Sequence, residues 1–191
     1  MNDELDDFYE EDWETRTSIE IRRRSLVLFG LVRMAHGEDG HGIYQWLVNQ
    51  DVESAISPEE KRILTSTQMS DRDRINASWR VEGLEVMLWA LNELPDMSPL
   101  SGQCDFSRIE DVFSSILSNT SDFLDTDSMR SEEEIYEQQE AIENHHWTIR
   151  DAQIHGKPQP KELDSGVVQE KHYAINWILF GEDWDEVLTD T

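Results

Sequence analysis

The fifteen residues "ENHHWTIRDAQIHGK", Glu143 to Lys157, hold three histidines, two carboxylates, an arginine and a tryptophan. On a helix, residues three or four apart share a face and adjacent ones diverge. His145 and His146 are therefore not a chelating pair, whereas Glu143 faces His146 and Asp151 faces His155. Glu143-x-x-His146 has the spacing used by carboxylate-bridged metal bundles, where two such motifs combine with glutamates from two further helices. The second Glu-x-x-His of the chain, Glu38 and His41, sits among glycines where a loop is expected. Arg150, one turn past His146, repels a cation. This helix is read without a metal, and no cofactor is expected.

Other chemistry is sparse. Cys104 is the only cysteine, so no intrachain disulfide or thiolate cluster is available, and no histidine lies near it in the sequence. No serine occupies a Gly-x-Ser-x-Gly elbow. The glycine-rich "HGEDGHG" at 36–42 lacks the Lys-Ser/Thr pair and the preceding strand of a phosphate loop. What remains is a set of charged residues beside tryptophans: Arg80 and Glu82 by Trp79, Arg150 and Asp151 by Trp147, and Glu170, His172 and Asn176 by Trp177. Charges drawn into a core by their tryptophan neighbours must be paired, since removing one partner of a buried pair costs roughly 3–5 kcal/mol. The seven residues are read first as a structural polar network between helices. If instead they open to a cleft, Glu82 or Glu170 is the candidate general base, His172 its acid/base partner, and Arg80 or Arg150 an anion clamp.

The elements that must position these residues are helical. "TSIEIRRRSLVLFGLVRMA" predicts a helix over 17–35, ended by the glycines after it. Its Arg22-Arg23-Arg24 triplet is expected to answer nearby carboxylates, with anion binding as the alternative. A short helix follows near "IYQWLVNQ". Ser57 with Pro58 and Glu60 forms a capping box with proline at the first helical position. Ser70 opens the longest apolar helix, expected to run to Leu94 and stop at Pro95. Its second half is apolar on most sides, which places it in the middle of a bundle. "FSRIEDVFSSIL" is amphipathic, Ser131 starts another capped helix reaching Gly156, and "GVVQEKHYAINWILFG" is the last. Strand-like alternation and internal repeats are not seen. The fold class expected is all-α: a single-domain orthogonal helical bundle over 17–191, with an acidic and loose arm at 1–16 and a short C-terminal tail.

"HWTIRDAQIHGKPQP", "GVVQEKHYAINWIL", "WDEVLTDT" and "SWRVEGLEVMLWAL" together resemble a mainly bacterial family, domain of unknown function forty-two seventy-two. The similarity runs from about Arg22 to the C-terminus and is densest over 145–191. Lys171 stands where the family's Glu-x-His motif leads one to expect arginine, which removes a bidentate role there. The resemblance implies an α-helical domain and no established activity.

Charge bounds the partners. With 42 acidic against 16 basic residues the formal net charge is -26, which disfavours nucleic acid and anionic membranes and favours a basic protein. The acidic N-terminus is unlike a signal peptide, and the apolar runs are far shorter than the roughly 20 residues of a membrane span. A cytoplasmic setting is expected. Trp13 in "YEEDWE" and the stretch Trp184, Asp185, Glu186 in "GEDWDEV" offer aromatics ringed by carboxylates as binding surfaces. The alternative for Trp184 is a plug folded back on the bundle. The functional expectation is a binding, accessory or immunity-type protein acting through an acidic surface, with a hydrolase-like or metal-dependent enzyme as the alternative.

Overall fold

The computed structural model describes residues 15–190. Among these, eight α-helices form and no strand does: α1 Ser18–Ala35, α2 Gly40–Asn49, α3 Pro58–Leu64, α4 Asp71–Ala90, α5 Phe106–Ser118, α6 Thr120–Asp125, α7 Glu132–Ile154 and α8 Ser165–Phe180. The all-α expectation holds. Short 3-10 turns lie at Glu53–Ala55 and Trp184–Glu186. No helix is long and apolar enough to cross a membrane among the described residues.

Local signals set the helix starts. Thr17, Ser57 and Ser131 each accept from a backbone N–H three residues on, and a glutamate there reaches back, completing three capping boxes. Pro58 occupies the first turn of α3. The glycine-rich stretch divides its work: Gly37 (φ 104°) lets the chain turn out of α1, and Asp39 then caps α2 by accepting from the Gly42 N–H. Gly30 lets α1 and α2 approach closely, since a Cβ there would stand 2.7 Å from Ile43 Cγ2.

The main packing runs α1 on α4, α4 on α8, and α8 on α7. Helix α4 is thus covered on two sides, which is why Val81 to Leu91 are buried without a break. Leu84, Val86, Met87 and Leu88 are wholly buried, each worth roughly 1.5–3 kcal/mol relative to exposure. Phe29 and Phe113 stack at 3.8 Å between α1 and α5.

Several expectations need correction. Helix α4 ends at Ala90 rather than Leu94, because Asn92 adopts a left-handed conformation (φ 61°) and Glu93 N–H closes back on Leu88 O. Helix α6 was not anticipated: the break at Asn119 (φ -150°, ψ 67°) carries no proline or glycine to announce it. Residues 15–16 are not part of a loose arm. Arg16 N–H donates to Ile178 O at 2.8 Å, and its guanidinium reaches Gly181 O and Glu182 O. The rest of the expected arm, with Trp13, lies outside the described residues.

Candidate functional site

The charged residues singled out in the sequence do not form one network. They fall into separate groups, and one of the three tryptophans expected to draw them inward faces solvent: Trp147 is 57 % exposed. Arg150 is exposed beside it on α7. Asp151 pairs locally with Lys157 and His155, both at 2.9 Å, far from any role with Arg80 or Glu82.

The first group lies between α4 and α8. Lys171 Nζ, fully buried, donates to Glu85 Oε2 at 2.5 Å and to Ser98 O at 3.2 Å, and stands 3.6 Å from Glu82 Oε2. Glu82 Oε1 accepts from the Cys104 N–H at 2.8 Å, and Glu85 Oε1 from Ser98 N–H and Oγ. Arg108, half-exposed, lies 3.5 Å from Glu85. Burial raises the Glu82 carboxyl above its usual range, opposed by the Cys104 N–H and Lys171. Burial and the two carboxylates push the Cys104 thiol well up. Glu82, Glu85 and Cys104 bring a possible ligand triad within 4.8 Å, yet the Lys171 ammonium already provides the counter-charge. Two carboxylates, one lysine and two loop N–H groups fix the loop after α4 onto α8. Glu85 was missed in the sequence, although its i+3 relation to Glu82 was readable.

The second group joins α7 to α8. His146 Nδ1 and His172 Nδ1 lie 2.9 Å apart with the rings edge-on. His172 is 1 % exposed and its Nε2 has no partner among the described residues. An unmet ring lone pair costs less than an unmet buried N–H, so the arrangement favours His172 Nδ1–H donating to His146. His146 Nε2–H is then left toward the surface. Burial, then the neighbouring His146, lowers the His172 pKa to about 4; burial and Arg150 lower that of His146. Asn176 donates to Leu188 O at 2.9 Å and accepts from Gln139 at 3.4 Å. Glu143 is exposed and bonded to Gln139, so it and His146 point to different surroundings.

The third group centres on Trp184, which is 6 % exposed and does not present an aromatic to solvent. It sits edge-on to Tyr173 and Trp177, with the Arg24 guanidinium 3.9 Å and the Arg80 guanidinium 5.5 Å from its ring. Its carbonyl accepts from Tyr173 Oη. Arg80 pairs with Glu170 at 3.1 Å, and burial nevertheless raises the Glu170 carboxyl. Asp185 is exposed but engaged: it accepts from Ser57 Oγ at 2.7 Å and Glu59 N–H at 3.2 Å, tying the C-terminal turn to the start of α3. Glu186 is exposed. Of the arginine triplet, Arg24 pairs with Glu60 and donates to Ala55 O. Arg22 pins the α6–α7 connection through Thr126 O and Ser128 O while pairing with Glu93. Successive residues on a helix point about 100° apart, so the triplet serves different neighbours.

The outer flank of α7 is a different kind of surface. Tyr136 (49 % exposed), Trp147 (57 %) and Ile154 (72 %) lie on one stripe with Glu140, Glu143 and Arg150, spaced alternately four and three residues apart. Glu133 and Glu137 are exposed beside it. The buried row Ile135, Gln139, Ile142, His146 and Ile149 faces α8.

No curated protein and no solved structure matches the chain. A family model described as Domain of unknown function (DUF4272) matches residues 8–187, a span that takes in every group above except the Leu188 carbonyl, and the chain belongs to that family.

Proposed function

We propose that this protein is a binding protein of accessory or immunity type, which engages a basic protein partner through the outer flank of α7. The observation that carries this reading is the exposure of Tyr136, Trp147 and Ile154 on a single helical stripe bordered by Glu133, Glu137, Glu140 and Glu143. Scattered exposed apolar residues are ordinary; a tryptophan, a tyrosine and an isoleucine aligned on one helix are what a partner interface uses as anchors. The carboxylates around them supply steering toward a basic surface, in keeping with the -26 charge of the chain. The acidic C-terminal turn serves less well, because Trp184 is buried and Asp185 is bonded to α3.

An enzymatic reading of Glu82, His172, Glu170, Arg80 and Arg150 has less geometric support. Glu82 and His172 are sealed from solvent, Arg150 lies on the outer side of α7, and Arg80 and Glu170 neutralise one another.

The test is affinity capture from the native host at low and high salt. Wild-type protein is compared with Trp147→Ser and with the double variant Glu140→Lys/Glu143→Lys, and any basic protein retained is then purified and titrated. The expected result is a basic protein held at low salt, bound about 30-fold less tightly after loss of Trp147, and shed by the charge reversal. Retention indifferent to both variants would overturn the proposal.

A further inference from the structure

A cleft of about 600 Å³ opens between the first turns of α1, the Glu53–Ala55 turn, the start of α3 and the Trp184–Glu186 turn. Its charged lining is mostly committed. Arg16 pairs with Glu20, Arg24 with Glu60, and Asp185 with Ser57 and Glu59. Arg23 is the exception. It is only partly exposed, its Nε is shut off from solvent without an acceptor, and no ion pair or hydrogen bond engages it among the described residues. Arg72 and Arg150, the other arginines without a described ion pair, are exposed, where water serves them. A half-buried, unmatched guanidinium in a chain with 42 carboxylates is not explained by packing.

Trp184 Nε1, Arg16 Nε and Arg24 Nε are buried donors with no partner among the described residues. An unmet buried donor of this kind calls for a physical reason. Ala55, Ile56 and Pro58, none of them fully buried, give the cleft an apolar side beside the buried Trp177 and Trp184, a surface suited to an apolar body. Asp183 and Glu186, exposed at the C-terminal turn and unpaired in their side chains among the described residues, repel polyanions such as nucleotides. They tolerate a ligand that bears a positive group beside its negative one.

We propose that this cleft binds a small carboxylate with an apolar or aromatic body, of amino-acid size, held by a fork of two hydrogen bonds from Nη1 and Nη2 of Arg23. A cationic amine on the ligand faces Asp183 and Glu186 and strengthens binding. This site is independent of the α7 surface.

The experiment titrates the full chain with four probes, L-phenylalanine, 3-phenylpropionate, phenethylamine and inorganic phosphate, following tryptophan fluorescence and calorimetric heat. The two carboxylates are expected to saturate in the range of about 1 mM, as suits ligands so small, with L-phenylalanine the tighter. Arg23→Gln weakens both at least about tenfold, the loss of a charge-assisted pair, and leaves the melting temperature in place because the side chain holds no partner. Arg72→Gln, on the exposed start of α4, changes nothing. Three outcomes overturn the proposal: no carboxylate saturating below about 10 mM, phosphate or phenethylamine binding as well as the carboxylates, or Arg23→Gln and Arg72→Gln behaving alike.

Discussion

His172 couples the α7–α8 packing to pH. Its pKa of about 4 lies below the ordinary histidine value of about 6.5, so the folded protein binds fewer protons than the unfolded chain between these values. Acid therefore favours unfolding across that window, and the contribution is fully present only above about pH 6.5. At pH 4 the unfolded imidazole is protonated about 300 to 1 and the folded one about 1 to 1, a ratio near 160 that corresponds to about 3 kcal/mol. The physical cause is first burial, a ring 1 % exposed whose Nε2 would take the proton with no acceptor beside it, and then the neighbouring His146. Other groups titrate nearby in both directions. Glu82 and Glu170 are raised and gain stability in acid, whereas capping residues such as Glu134 are lowered and lose it.

The effect is isolated by comparing wild type with His172→Gln in urea unfolding at constant ionic strength from pH 7.5 to 4. At pH 7 the variant is expected to be about 1 kcal/mol less stable, for the lost hydrogen bond. At pH 4 it is expected to be about 2 kcal/mol more stable than wild type, so that the two curves cross. Parallel curves, with a gap unchanged between pH 7 and 4, would refute the assignment of a neutral buried pair.

Lys171→Met leaves Glu82 and Glu85 facing each other without their cation, and a loss of about 3–5 kcal/mol is expected in chemical denaturation; Lys171→Arg should retain most of the stability, since Ser98 O and both carboxylates can still accept. Cys104, buried with its thiol pKa pushed well up, is expected to resist a thiol reagent at pH 8 and to react fully once unfolded, as followed by absorbance. Ser57→Ala removes both the α3 cap and the bond to Asp185. It should cost about 1–2 kcal/mol, and amide exchange should quicken in the Trp184–Glu186 turn before the rest of the chain.

Helix identity was legible where one residue dictates one local geometry. Ser57 and Ser131 cap as their spacing to a glutamate requires, Thr17 caps the helix that was expected to start on it, and the apolar run of α4 revealed a helix covered on two sides. The family, too, could be read from the motifs around Trp79, Trp147, Trp177 and Trp184. The end of α4 was less legible, because Asn92 could take a left-handed turn before Pro95 was reached.

Which charges meet was decided only by tertiary structure. Trp147 has the same local sequence character as Trp177, yet α7 packs chiefly on α8 and leaves Trp147 outside. Glu82 found Lys171 rather than Arg150 because the α4–α8 contact, not residue type, sets the distance. Arg22, Arg23 and Arg24 are alike in sequence; of the three, their different neighbours in space leave Arg23 without an ion pair among the described residues. Short-range rules act over one turn of helix, about 5.4 Å. An ion pair is fixed by segments meeting across 71 residues for Arg22 and Glu93, in the turn after α4, or 86 for the buried Lys171 and Glu85, and no local pattern encodes that meeting.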